Sequence, residues 1–414
     1  MSTFAKKIVP VYITVLMTIA TITPGFAAHS HAGSKFSMLV YTRWGPSEVP
    51  LLQGLANQWA ARNGGAVKVV RDSLASASAF KTLADSNRAP DMYVGLSDEY
   101  LGPYQRSGLL APVPNGAFDP TTAIPAAVQS VTYGGKRYAA PLTFETYTLV
   151  YNKKLVPTPP KTFDGLIATA LTFPNKKGGA VGFLYAATNL YFSYAFIRGF
   201  GGYVFKPTPN GLNVSDIGLD NAGTVAALSF VRGLVQKGVV PADADYNTAQ
   251  TLFEQGKLGM FVDGSWNIAA NRRALGRDFA AAPWPALPNG ATPRSFVDVQ
   301  VGFVNARSHQ KDRAFSLLTY LASTVGIPDN RTTGRLPVRK ADLAQAPFKT
   351  DQVISAYVTS ALLGDPMPNV PEISQVWTPS YNNLSLVVTG KETPKAAADT
   401  MTKQIKAGIA AFGP

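Results

Sequence analysis

The chain contains no cysteine and only three histidines, His29, His31 and His309. Without thiols there is no disulfide, thiolate metal site, iron–sulfur cluster or cysteine nucleophile, and no lipidated cysteine of the kind that anchors bacterial lipoproteins. Two of the imidazoles fall in the N-terminal flank, so a folded core has one at its disposal. Multi-histidine metal sites are excluded, and Ser–His catalysis would rest on His309. Charge is sparse at 15% while 46% of residues are hydrophobic, which excludes disorder over most of the length. The 414 residues exceed one small core and suit two to three domains. Beyond the N-terminus no apolar run approaches the length of a spanning helix.

What is present begins with a secretory pattern. Lys6 and Lys7 form a positive start, 8–22 is largely apolar, Pro24 and Gly25 break it, and small residues follow. A signal peptide over 1–27 is expected, cleaved after Ala27 or Ala32, leaving a soluble, exported, periplasmic protein. Losing Lys6 and Lys7 with that leader lowers the net charge from +13 to +11. Such a surplus permits contact with nucleic acid or anionic membrane. The basic residues are scattered, however, and the densest clusters are pairs such as Lys153-Lys154, Lys176-Lys177 and Arg272-Arg273. A solvated basic surface with no nucleic-acid partner is the expectation.

Apolar strand-like runs alternate with helical periodicity. The run 36–41 (FSMLVY) reads as a strand, and Leu51, Leu52, Leu55, Ala56 and Trp59 share a helix face over about 48–62. Strands at 67–70 and 92–94 continue a β-α-β-α rhythm. It predicts an α/β fold with a mostly parallel sheet covered by helices on both faces. A second series follows Glu145, with strands predicted at 147–151, 180–185, 258–262 and 297–304. Helices are predicted over 221–237, closed by Gly238, and over 312–323. The turn 263–265 leads into a helix bearing Trp266. A last helix takes Thr393 as N-cap and Pro394 at its first position and runs to about Phe412. Pro-rich stretches at 156–161 and 282–293 read as loops.

Several short motifs occur in a fixed order. Ser107-Gly108-Leu109-Leu110 follows Tyr104, and Tyr151-Asn152-Lys153 precedes Pro159-Pro160-Lys161-Thr162. Next come 201–206 (GGYVFK), 218–223 (GLDNAG), 242–246 (ADADY) and 367–371 (MPNVP). Collinear from about Lys35 to the C-terminus, they resemble extracellular solute-binding proteins of the maltose/maltodextrin-binding type, the periplasmic receptors of ABC sugar importers. The resemblance implies a two-lobed periplasmic binding protein fold with a ligand cleft and a hinge between the lobes. It places lobe I at 33–144 and 299–348 and lobe II at 145–298 and 349–414. It also implies an oligosaccharide ligand, the transmembrane subunits of an ABC permease as partners, a monomeric state, no cofactor and no metal.

A sugar offers hydroxyls around its rim and C–H patches on its faces, so a receptor needs carboxylates, amides and flat rings. Asp98 lies just past the 92–94 strand, at the carboxyl end where α/β sheets bind ligands, and matches the family's sugar-binding aspartate. Taken alone it reads as a helix N-cap. Glu145 matches the glutamate at the lobe crossing; a salt bridge near the hinge is its plainer reading. Trp266, Tyr191 and Trp377 match stacking aromatics, and Tyr246 matches a cleft-lining residue. Met367 falls at a subsite position that packing would equally explain. Trp44 is a candidate from its place after the first strand.

Four positions depart from the enterobacterial maltose receptor: Gly95 stands for a tryptophan, Glu99 for an arginine, Asn189 for a cleft glutamate and Tyr381 for an arginine. The retained set suits maltose, maltodextrin, trehalose or another oligosaccharide. A glycoside hydrolase built on Asp98, Glu145, Glu254 or Asp263 would need two carboxyls about 5–5.5 Å or about 6.5–9.5 Å apart. No catalytic motif supports that reading. A receptor for another solute, such as a polyamine, would favour carboxylates over aromatics. A chaperone-like or adhesive role is a third alternative. The sequence is read as a non-catalytic sugar receptor.

Overall fold

A computed structural model describes residues 36–412 except 73–76, 85, 87–88, 134, 174–178, 209–210 and 347. The expected signal peptide therefore lies outside the described residues. Two β-sheets organise the rest. In spatial order the larger runs Leu336–Pro337, Ala140–Glu145, Phe296–Val304, Met92–Ser97, Ser37–Thr42 and Ala66–Arg71. Asp365–Pro366 joins it alongside the start of Phe296–Val304. The smaller runs Phe279–Ala282, Tyr147–Asn152, Leu258–Gly264 and Val181–Leu184.

The expected mostly parallel sheet needs correcting, because both sheets are mixed. Ser37–Thr42 is parallel to both of its neighbours, and Leu258–Gly264 is parallel to Val181–Leu184. Tyr147–Asn152 is antiparallel to both of its neighbours, and Phe296–Val304 is antiparallel to Met92–Ser97 and Ala140–Glu145, with only the short Asp365–Pro366 parallel to its start. The cause is connectivity. These two strands enter directly from the other sheet, one after the single residue Thr146 and the other through the loop after Ala282, with no crossover helix to reverse them.

Sequence chemistry explains the elements. The strands Ala140–Glu145, Tyr147–Asn152, Leu258–Gly264 and Phe296–Val304 are buried at every position, so they read as near-continuous apolar runs. Helix Val49–Asn63 buries Leu52, Leu55, Ala56, Trp59 and Ala60, and ends where Gly64 adopts φ 73° and returns its N–H to Ala60. The Asn221 side chain accepts the Thr224 N–H at 2.8 Å to start helix Ala222–Gln236. Thr393 Oγ1 likewise accepts the Ala396 N–H at 3.2 Å ahead of helix Pro394–Phe412. Helix Gln352–Leu363 returns to the smaller sheet, where Ser360 Oγ donates to Thr148 Oγ1 at 2.8 Å.

The register places the site. Asp298 stands opposite Glu145, and Gln300 stands opposite Ser97, so the central strand gathers the ends of two neighbours at one point. Packing tolerance is tested in the smaller sheet, where a Cβ at Gly182 would lie 2.4–2.8 Å from Ala170 backbone atoms. Gly182→Ala is expected to cost about 1–3 kcal/mol, read as a lower urea midpoint with an unchanged m-value.

Candidate functional site

One side of the site is a wall of carboxyls. Asp98 opens the turn Asp98–Tyr100, while Ser97, not Asp98, is its N-cap. The Asp98 side chain is fully buried; Oδ1 accepts the Val299 N–H at 3.5 Å, and Oδ2 has no hydrogen-bond donor. Glu145 makes the salt bridge of its plainer reading, because Arg335 Nε donates to its Oε2 at 2.5 Å. The same guanidinium also pairs with Glu48 and lies 3.9 Å from Asp329. Gln300 Nε2 then bridges Glu145 Oε1 at 3.4 Å and Asp298 Oδ2 at 3.3 Å. Glu145 and Asp298 are thus joined through Gln300, and Asp98 meets the same strand at the Val299 N–H.

Dehydration sets the protonation of this wall. Burial pushes Glu145 up to about 7, with Arg335 opposing and Asp298 adding to the rise. Burial also lifts Glu99 to about 7, against a hydrogen bond from Trp377 and the nearby Arg43 charge. Asp98 is driven well above the usual carboxylate range by burial and by the adjacent Asp298, itself raised by burial.

The other side is aromatic. Tyr191 stands at the start of helix Leu190–Gly199, where Asn189 is the N-cap and accepts the Tyr191 N–H at 2.9 Å. Its ring centroid is 4.9 Å from that of Tyr147 and 6.1 Å from that of Trp266, and its buried hydroxyl has no partner. Trp266 sits on the turn Ser265–Asn267, just before the helix expected to bear it. Its Nε1 donates to Tyr246 Oη at 2.9 Å, and that hydroxyl donates to Asp263 at 2.5 Å. Asn267, Asn271 and the Gly264 N–H complete the Asp263 shell at 3.0, 2.6 and 2.7 Å. Tyr246 and Asp263 therefore form a bracket that orients the indole.

The remaining candidates are placed differently. Trp377 begins helix Trp377–Val388, and its indole opposes the effect of burial on the Glu99 carboxyl. Met367 is 4% exposed, with its N–H bound to Val297 O at 3.0 Å. Trp44 is 1% exposed and meets the wall from beneath, donating to Gln300 Oε1 at 3.3 Å. It fills the space over Gly95, where a Cβ would come within 2.3 Å of the indole. Glu254 accepts from Gln250 at 2.7 Å, and His309 is exposed. Among the described residues no group of three or more His, Cys, Asp or Glu side chains could hold a metal ion.

Sequence reasoning missed Asp298, Gln300 and Arg335. The first two left a signal: polar residues two apart in the otherwise apolar FVDVQVGFV put both side chains on one face of a buried strand. Nothing local marked Arg335.

Comparison with known proteins follows from this geometry. A family model described as bacterial extracellular solute-binding protein matches residues 54–356. The maltodextrin-binding protein of Bacillus subtilis is 28% identical over 368 residues, 86% of this chain and 87% of its own. The galactooligosaccharide-binding protein of the same organism is 30% identical over 294 residues, 69% of each chain. The X-ray structure of the maltose-maltodextrin binding protein of Alicyclobacillus acidocaldarius matches with a TM-score of 0.81 at 30% identity, covering 90% of this chain and all of that one. Among the described residues no helix is long and apolar enough to cross a membrane.

Glu99, Glu145 and Asp329 are held near pH 7, above their ordinary values, so the folded state binds these protons more tightly than the unfolded chain. Their contribution is complete below the ordinary carboxyl range and is lost as pH rises through about 7. The ligand-free melting temperature is expected to fall between pH 5 and pH 8, and less steeply in Glu99→Gln. A flat wild-type profile would contradict this.

Proposed function

Because this chain belongs to the bacterial extracellular solute-binding protein family, we propose that it is the exported substrate-binding component of an ABC importer. It takes maltodextrin or a related oligosaccharide into a cleft between two lobes and delivers it to the membrane permease. It is a receptor and not an enzyme. The observation that carries the reading is the pairing of a dehydrated carboxyl wall with an aromatic side.

In this reading Asp98 and Glu145 take sugar hydroxyls, while Trp266, Tyr191 and Trp377 cover ring faces. Charge-assisted bonds in a dry cleft are strong, and leaving them unmade is costly, so the wall selects as well as binds. Tyr246 holds Trp266 in place, Trp44 supports Gln300, and Met367 backs the subsite by packing. The lobe division at 144/145 is supported by the change of sheet after Glu145, and the return at 349 by the docking of Gln352–Leu363 on the smaller sheet. The second crossing, read at 298/299, is instead best drawn in the loop before Phe296, since that strand belongs to the larger sheet from its first residue. The mature chain, freed of residues 1–27, acts as a periplasmic monomer. Closure of the lobes follows the ligand's differential affinity for the closed form.

A thermal-shift panel of maltose, maltotriose, trehalose, sucrose, cellobiose and a galacto-oligosaccharide tests the reading. A ligand at 100 times its Kd stabilises by about 2.7 kcal/mol. Shifts with α-glucans are expected; silence across the panel would overturn the sugar assignment. Trp266→Ala is expected to weaken binding at least about tenfold, about 1.4 kcal/mol, while leaving the protein folded by circular dichroism. Unchanged affinity would remove Trp266 from the site.

A further inference from the structure

Arg335 stands where three loops meet. Its Nε donates to Glu145 Oε2 at 2.5 Å, and Nη1 of the same guanidinium pairs with Glu48. Glu48 is itself fixed, because its Oε2 accepts the Gly45 N–H at 2.6 Å. The Trp44 ring centroid lies 5.9 Å from the guanidinium carbon and covers a further side. The backbone of Arg335 is held as firmly: its N–H donates to Thr333 Oγ1 at 3.1 Å, and its carbonyl accepts the Asn330 side-chain N–H at 2.9 Å. The same short loop also reaches the aromatic side. The Thr333 carbonyl accepts the Ala269 N–H at 3.3 Å, in the first turn of helix Ile268–Leu275 that follows Trp266. Gly334, at φ +108°, lies so near that a Cβ would come within 2.4 Å of the Ser265 carbonyl oxygen and 2.6 Å of Ile268. Three consecutive residues thus touch the Trp266 turn through their backbone and the Glu145 carboxylate through a side chain.

We propose that Arg335 is a positioning residue for Glu145, and that the loop Thr333–Arg335 gauges this carboxylate against the Trp266 turn. The ligand roles of Glu145 and Trp266 rest on the function proposed above. Glu145 ends a strand of the larger sheet and Trp266 follows a strand of the smaller one, so neither sheet alone sets the spacing between them. The loop sets it in one span. A guanidinium bonded at two points fixes direction, where an ammonium supplies a point charge. Gln300 Nε2 reaches the other Glu145 oxygen at 3.4 Å, so the carboxylate cannot rotate without breaking a bond on each side. Paired in this way it accepts hydrogen bonds and does not donate, and the sugar hydroxyl that it takes supplies the hydrogen. The ring stacked on Trp266 then has that hydroxyl at a set distance.

Double-mutant cycles on the full-length protein, with maltotriose affinity measured by calorimetry, test both arms. Arg335→Lys keeps the charge and loses the fork, so it is expected to fold by circular dichroism while releasing the carboxylate. It is expected to weaken binding about fivefold or more in the wild-type background, and less than about twofold when Glu145→Gln or Trp266→Ala is already present. Should Arg335→Lys fail to fold, Glu48→Gln, which frees the other end of the guanidinium, takes its place in the same cycles with the same expectation. Unchanged affinity, or an equal loss in the Glu145→Gln background, would overturn the positioning role, because a purely structural effect adds to the loss of Glu145. Coupling to Glu145 with full additivity toward Trp266 would overturn the gauge. A wild type that binds no maltotriose overturns the functional reading and the positioning role with it, whereas additive losses in a wild type that binds overturn the positioning role alone.

Discussion

Phe296–Val304 is hydrogen bonded along both edges, and its register decides which side chains meet at the acidic wall. Side chains alternate along a strand, so Val297, Val299, Val301 and Phe303 enter one core with Phe80, Tyr93 and Leu336. Asp298 and Gln300 are thereby turned the other way. A slip of one residue would bury the polar pair in that core and set valines against Glu145. Four aliphatic and aromatic side chains thus hold the register that polar groups on the opposite face use.

The same strand makes the electrostatics expensive. Charged groups removed from water cost several kcal/mol each unless paired, and Arg335 answers three carboxylates from a single guanidinium. Its planar fork lets it serve Glu48 and Glu145 together, which a lysine could not. The net charge of +13 counts every Lys, Arg, Asp and Glu of the chain, yet among the described residues the buried members of that set are Asp and Glu. Inside, the sign is reversed, and the contrast separates a solvated basic surface from an acidic interior.

Much of the fold was legible because its signals are local. Asn221, Thr393 and Gly64 mark helix ends through contacts within four residues, and those ends fall where expected. The direction of the strands was not legible, since a crossing read at 144/145 does not say which way the strands on either side of it run. The site divides in the same way. Asp98, Glu145, Tyr191, Trp266 and Trp377 were singled out by resemblance, through motifs in order. Asp298 and Gln300 acquire meaning only from pairing with a strand more than 150 residues away in the chain. Tyr246 was read as a cleft residue, yet its hydrogen bonds to Trp266 and Asp263 make it a support as well, which no single position could disclose.

Trp44 and Gly95 illustrate a different kind of dependence. The indole rests where any side chain at 95 would begin, and the backbone there, at φ +77°, suits glycine. The resembled maltose receptor carries its own tryptophan at the position of Gly95. A tryptophan cannot occupy both places in this packing. In this chain a side chain at 95 is accommodated only if the residue at 44 gives up the space. Any graft of one receptor's specificity onto the other has to exchange the two positions as a unit.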